Sequence, residues 1–108
     1  MNYVIFAVFS IFITAEIFSA DGAELFTKYN CQTCHDPVKD QISMGLGPSV
    51  QMIKEQYANK VGELVTFLDG KGEPKIYPNR YALMKTQLDT IKGLSVADKT
   101  QLAKHLLK

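Results

Sequence analysis

Two cysteines and one histidine carry the chemistry of this sequence. Cys31 and Cys34 are the only cysteines among its 108 residues, and they fall in the run C-Q-T-C-H that closes on His35. Two thiols with two residues between them can reach the two vinyl groups of one porphyrin and form thioethers. The imidazole of the next residue is then carried beneath the iron, and this arrangement is the attachment signature of haem c. C-x-x-C alone would also suit a redox dithiol of the thioredoxin kind. That motif follows a buried strand and opens a helix, whereas residues 21–30 read as a helix with no β-branched run. A structural disulfide would close too short a loop to stabilise much. The spacing therefore predicts one haem c bound through Cys31 and Cys34, with His35 as an axial ligand of the iron.

The elements that must position these residues read as helices. Asp21 is a candidate N-cap with Glu24 three residues on, followed by Leu25, Phe26 and Tyr29 on one face. At the other end Ser95 and Asp98 resemble a capping box ahead of the stripe Leu102, Ala103, Leu106 and Leu107. The two terminal helices are expected to cross. Between them Gly45, Gly47 and Pro48 make a stiff loop, and Ser49 can cap a helix running to about Asn59. Val61, Leu64, Val65 and Leu68 mark another helix, ended by Gly70 and Gly72. Pro74 and Pro78 should hold the chain extended until Asn79, which caps a single turn through Arg80, Tyr81 and Ala82 toward Met84. Alternating strand patterns are absent, so the expected fold class is all-α.

The first 20 residues do not belong to that domain. Residues 3–13 are almost wholly apolar, which matches the h-region of a signal peptide and is short for a transmembrane span. Residues 1–20 are read as an export leader, cleaved or retained as an anchor, and residues 21–108 as one domain. Either way the domain would lie outside the cytoplasm, in the periplasm, and would meet a membrane only through an uncleaved leader. So short a chain is near the limit for a core unaided by disulfide, metal or cofactor. One of the 11 acidic residues, Glu16, lies in the leader, which leaves 12 Lys or Arg against 10 Asp or Glu in the domain. Nothing in that balance suggests nucleic acid.

Taken together, C-Q-T-C-H, then Gly47-Pro48, then a methionine, then a capped terminal helix resemble the class I c-type cytochromes, over essentially all of residues 21–108. The resemblance implies a small cytochrome c fold wrapped round one haem, with His and Met as axial ligands. It also implies that the Pro48 carbonyl accepts a hydrogen bond from the proximal imidazole of His35, a contact that orients the ring and tunes the metal. The chain departs from the family at His105, where the terminal helix commonly carries an aromatic residue. Four groups compete for the sixth position: Met44, Met52, Met84 and His105. Met44 is only nine residues beyond His35, and Met52 lies in the helix that follows. His105 suits the C-terminal end of its own helix. Met84 is favoured for its flexible thioether, its expected loop setting and its ample chain from His35.

With both axial sites filled, outer-sphere electron transfer is the function that remains, and no enzymatic activity is expected. The partners would be redox protein donors and acceptors, and the carrier a monomer. Alternatives are a haem c subunit of a larger oxidoreductase, or a ligand-binding sensor in which Met84 leaves the iron. Leu46, Val50, Ile53 and Tyr57 are expected to line the haem plane from the first half of the domain. Phe67, Leu68, Ile76 and Tyr81 are expected there from the second. Lys71, Lys75, Lys85 and Lys92 cluster in the same stretch as Met84, either as a docking patch for an acidic partner or as a solvated surface.

Overall fold

Three side-chain caps start the helices that frame the molecule. The computed structural model describes residues 21–108; the leader assigned to residues 1–20 lies outside the described residues. Asp21 accepts from the Ala23 amide at 3.4 Å and opens α1, Gly22–Lys28. Ser49 accepts from Met52 at 3.0 Å and opens α2, Val50–Gln56. α3, Val61–Leu68, and α4, Tyr81–Ile91, start without a side-chain cap. Ser95 accepts from Asp98 at 3.1 Å and opens α5, Val96–Leu106. Short 3-10 turns lie at Cys31–Thr33, Ile42–Met44 and Pro78–Arg80. The described residues are all-α, with no strand, and none of their helices is long and apolar enough to cross a membrane.

The terminal helices α1 and α5 pack against each other, as their facing stripes require. Leu25, Leu102, Ala103 and Leu106 are buried there. Gly22 makes the close approach possible: a Cβ on it would lie 2.2 Å from the Gln101 carbonyl oxygen and 2.7 Å from the His105 Cβ. His105 takes part in this packing. Its ring sits 5.4 Å from that of Phe26, tilted by 57°, with Nδ1 buried and without a hydrogen-bond partner.

Lys99, in the same helix, is only 2% exposed. Its ammonium donates to Asp69 Oδ1 at 2.5 Å and to the Lys92 carbonyl at 3.3 Å, which ties α5 to the end of α3. Asp69 also pairs with Lys71 at 3.1 Å. The hydrogen bond from Lys99, and then that from Lys71, hold the Asp69 carboxyl below the usual carboxylate range. A carboxylate with a lower pKa folded than unfolded stabilises the fold above its unfolded value, near 4, and loses that contribution as pH falls through its folded value. Asp69→Asn is therefore expected to lower the melting temperature most at neutral pH. The gap to the parent protein should close in acid, below about pH 4, in a series of thermal melts.

Three expectations are corrected at α4 and in the stretch before it. Met84 lies within a helix, not in a loop. Tyr81, Met84, Leu88 and Ile91 recur at the helical period, and Leu88 and Ile91 are buried in the core, so burial of that stripe makes a helix of 11 residues where a single turn was expected. Asn79 does not cap it, but lies inside the turn Pro78–Arg80. Nor is the chain extended up to Asn79: Tyr77 takes the left-handed conformation, φ 48° and ψ 59°. For a bulky residue this costs roughly 1–2 kcal/mol. A smaller correction concerns α2, which ends at Gln56 rather than near Asn59, because Asn59 itself turns left-handed at φ 59°.

Candidate functional site

α1 stops where the chemistry begins. The Tyr29 amide closes the helix onto Leu25, and Asn30 turns left-handed at φ 56°, sending the chain into the turn Cys31–Thr33. The amides of Cys34 and His35 both donate to the Cys31 carbonyl, at 3.2 and 2.9 Å. This one turn brings Cys31, Cys34 and His35 to the wall of a single cleft. Both thiols are free and half-buried. Burial pushes the Cys31 thiol up, and the nearby Cys34 adds to the rise. A redox dithiol is activated by the opposite shift.

The His35 ring is held from behind. Its Nδ1 lies 2.8 Å from the Pro48 carbonyl oxygen. A carbonyl can only accept, so Nδ1 carries the proton and donates it. Burial lowers the His35 pKa, against a smaller rise from this hydrogen bond, and so favours the neutral ring. A neutral imidazole protonated on Nδ1 keeps its free lone pair on Nε2, the state a metal ligand needs. Gly47 forms the cradle for the ring. Its amide donates to the Cys34 carbonyl at 2.9 Å, and a Cβ there would lie 2.7 Å from His35 Cε1 and 2.9 Å from Nδ1. Gly47→Ala is expected to push the ring off Pro48 and to cost about 1–3 kcal/mol by overpacking. A lowered melting temperature, together with fast exchange of the imidazole Nδ1–H seen by nuclear magnetic resonance, would show it.

The cleft has roughly 1250 Å³ of space including its mouth, and its walls are mainly apolar. Of the four candidates for the position opposite His35, Met84 alone lines it. Met44 is 73% exposed on its loop, Met52 lies in α2 away from the cleft, and His105 belongs to the packing of the terminal helices. Of the expected lining residues Leu46, Ile53, Tyr57, Phe67, Leu68, Ile76 and Tyr81 all face the cleft. Val50 does not; it packs against the core instead. Phe67 and Tyr81 meet with ring centroids 5.8 Å apart.

Several wall residues escape a reading of sequence alone, among them Ile42, Lys75, Arg80, Leu83 and Gln87. For the three from α4 and the turn before it, Arg80, Leu83 and Gln87, the usable signal is the helical period that Met84 shares with Leu88 and Ile91. The lysine cluster is partly neutralised. Lys71 pairs with Asp69, and Lys75 pairs with Glu63 at 3.2 Å while lying 4.7 Å from the centre of the Tyr57 ring. Lys85 and Lys92 form no ion pair with the described residues.

Among the described residues no three His, Cys, Asp or Glu side chains gather round a common point to hold a bare metal ion. What the cleft offers is different: two thiols three residues apart, one neutral imidazole with a free Nε2, one thioether and apolar walls. These suit a flat, apolar, covalently attached macrocycle whose metal accepts axial nitrogen and sulfur. No family model matches this chain and no curated protein matches it, so the functional reading rests on the site itself.

Proposed function

We propose that this chain is an exported monohaem electron carrier with a fold of the class I cytochrome c kind. Cys31 and Cys34 would hold haem c by thioethers, and His35 and Met84 would be its axial ligands. The observation that carries the reading is the His35 ring donating to Pro48 in a cleft that it shares with both cysteines and Met84. Bound there, the group supplies a one-electron couple. The protein's own residues do the rest. Pro48 and Gly47 keep the imidazole oriented and its Nε2 unprotonated. Leu64, Phe67, Leu68 and Ile91 exclude water from the cleft, and a thioether ligand favours the reduced state, which raises the potential.

With His35 and Met84 both engaged by the group, no position would remain for a substrate, which favours outer-sphere transfer to protein partners over catalysis. Leu83 lines the cleft yet is 52% exposed, so the mouth is accessible on the side of Met84. The apolar run in residues 3–13 supports export to the periplasm.

The deciding experiment is an absorption spectrum of the matured protein, oxidised and reduced, followed by denaturation. A haem c spectrum that stays with the polypeptide after denaturation, and is lost when Cys31 and Cys34 are both replaced by serine, is the expected result. Two freely alkylated thiols in the matured protein would falsify the proposal.

A further inference from the structure

The cleft is walled on one side by the loop between His35 and α2, and on the other by the segment that leads into α4. No backbone hydrogen bond joins these two segments among the described residues. Two side chains do so. The Tyr77 hydroxyl donates to Asp40 Oδ2, and Arg80 Nη1 donates to the Ile42 carbonyl at 3.1 Å. Tyr77 and Arg80 themselves line the cleft.

Both ends of this clasp are built to hold it. Asp40 is oriented by its second oxygen, which accepts from the Ile42 amide at 3.1 Å. Tyr77 presents its ring from a left-handed backbone immediately before Pro78, a conformation that the residue before a proline disfavours. The Arg80 amide closes that turn onto the Tyr77 carbonyl at 2.8 Å. Arg80 forms no ion pair with the described residues, so its bond to the Ile42 carbonyl is its link across the mouth. α4 follows directly, and Met84 is four residues beyond Arg80.

We propose that Tyr77 and Arg80 are positioning residues of the site: their clasp on the loop carrying Asp40 and Ile42 keeps the start of α4 closed on the cleft and so keeps the Met84 thioether in place. This rests on the haem reading of the cleft. An outside ligand that competes with Met84 binds only the open form, so its apparent affinity scales with the fraction of molecules open. Releasing one exposed hydrogen bond of the clasp should raise that fraction roughly threefold to tenfold.

The test is imidazole binding to the oxidised, matured protein, followed by loss of the weak far-red band that reports methionine sulfur on ferric iron. Tyr77→Phe keeps the ring and removes the hydroxyl; Asp40→Ala removes its acceptor. Each is expected to tighten apparent imidazole binding by that factor. The double variant should do no more than Asp40→Ala alone, because the hydroxyl has no acceptor left to lose. Arg80→Gln should tighten binding and Arg80→Lys restore part of the parent behaviour. A purely structural role would lower the melting temperature without this pattern of non-additivity. If haem c is present and all the variants bind imidazole as the parent does, the clasp proposal fails alone. If the parent carries no haem c, the reading of the cleft fails with it.

Discussion

Gly22→Val is expected to lower the melting temperature by roughly 10 °C or more, from an overpacking cost at or above the usual 1–3 kcal/mol. The first atom of any side chain would stand 2.2 Å from the Gln101 carbonyl oxygen, and a helix backbone cannot step aside as the end of a flexible side chain can. α1 and α5 would have to part, which uncovers Leu25, Leu102 and the fully buried Ala103. Gly22→Ala should be almost as harmful, since the Cβ itself makes the clash. Gly62 is the control. It lies in the first turn of α3, where an added Cβ meets nothing within 4 Å. Gly62→Ala should therefore stabilise the protein by about 0.5–1 kcal/mol through helix propensity. Differential scanning calorimetry of the three variants reads both signs. Equal melting temperatures for Gly22→Val and the parent would mean that the terminal helices do not touch as described.

The caps at Asp21, Ser49 and Ser95 were legible because capping is local: the residue and the amide it satisfies lie within three positions of each other. Gly22 was not, because what it must avoid is the backbone of Gln101, at the far end of the chain. The same holds for Lys99. A lysine in a polar stretch of helix reads as exposed, and only the meeting of α5 with Asp69, 30 residues away, buries it. α4 is hard to read from sequence for a different reason. Its apolar stripe is diluted by Lys85, Thr86, Gln87, Asp89 and Thr90, and the two prolines upstream signal an extended chain more strongly than the period signals a helix. In the candidate site, Cys31, Cys34 and His35 stand out because C-x-x-C-H is itself a local signature, readable within five consecutive residues. The place of Pro48 followed from resemblance to a family. The clasp from Tyr77 to Asp40 and from Arg80 to Ile42 joins residues 37 and 38 positions apart, which no local pattern marks.

On the proposed reading of the cleft, Met84→Ala is expected to abolish the far-red band of the oxidised protein and to confer carbon monoxide binding on the reduced one. Nothing else in the wall is placed to take over the thioether's role. His35 is the only histidine lining the cleft, and its Nδ1 proton is engaged with Pro48. Lys75 is held by Glu63 and the Gln56 carbonyl. The other two methionines of the domain stand outside, Met44 in solvent and Met52 on α2. Met44→Ala and Met52→Ala should accordingly keep the band and exclude carbon monoxide. The potential of Met84→Ala should fall, since the sulfur that favours the reduced state is gone. Survival of the band in Met84→Ala would hand the sixth position to Met44 or Met52. Either would require the loop of residues 36–49, or α2 behind it, to move off the Pro48 contact, so the His35 imidazole signal would have to change although the band survived. Loss of the band without carbon monoxide binding would instead point to a histidine or lysine that moves in. Because His105 can reach the cleft only if α1 and α5 separate, that outcome would also have to appear as a lowered melting temperature.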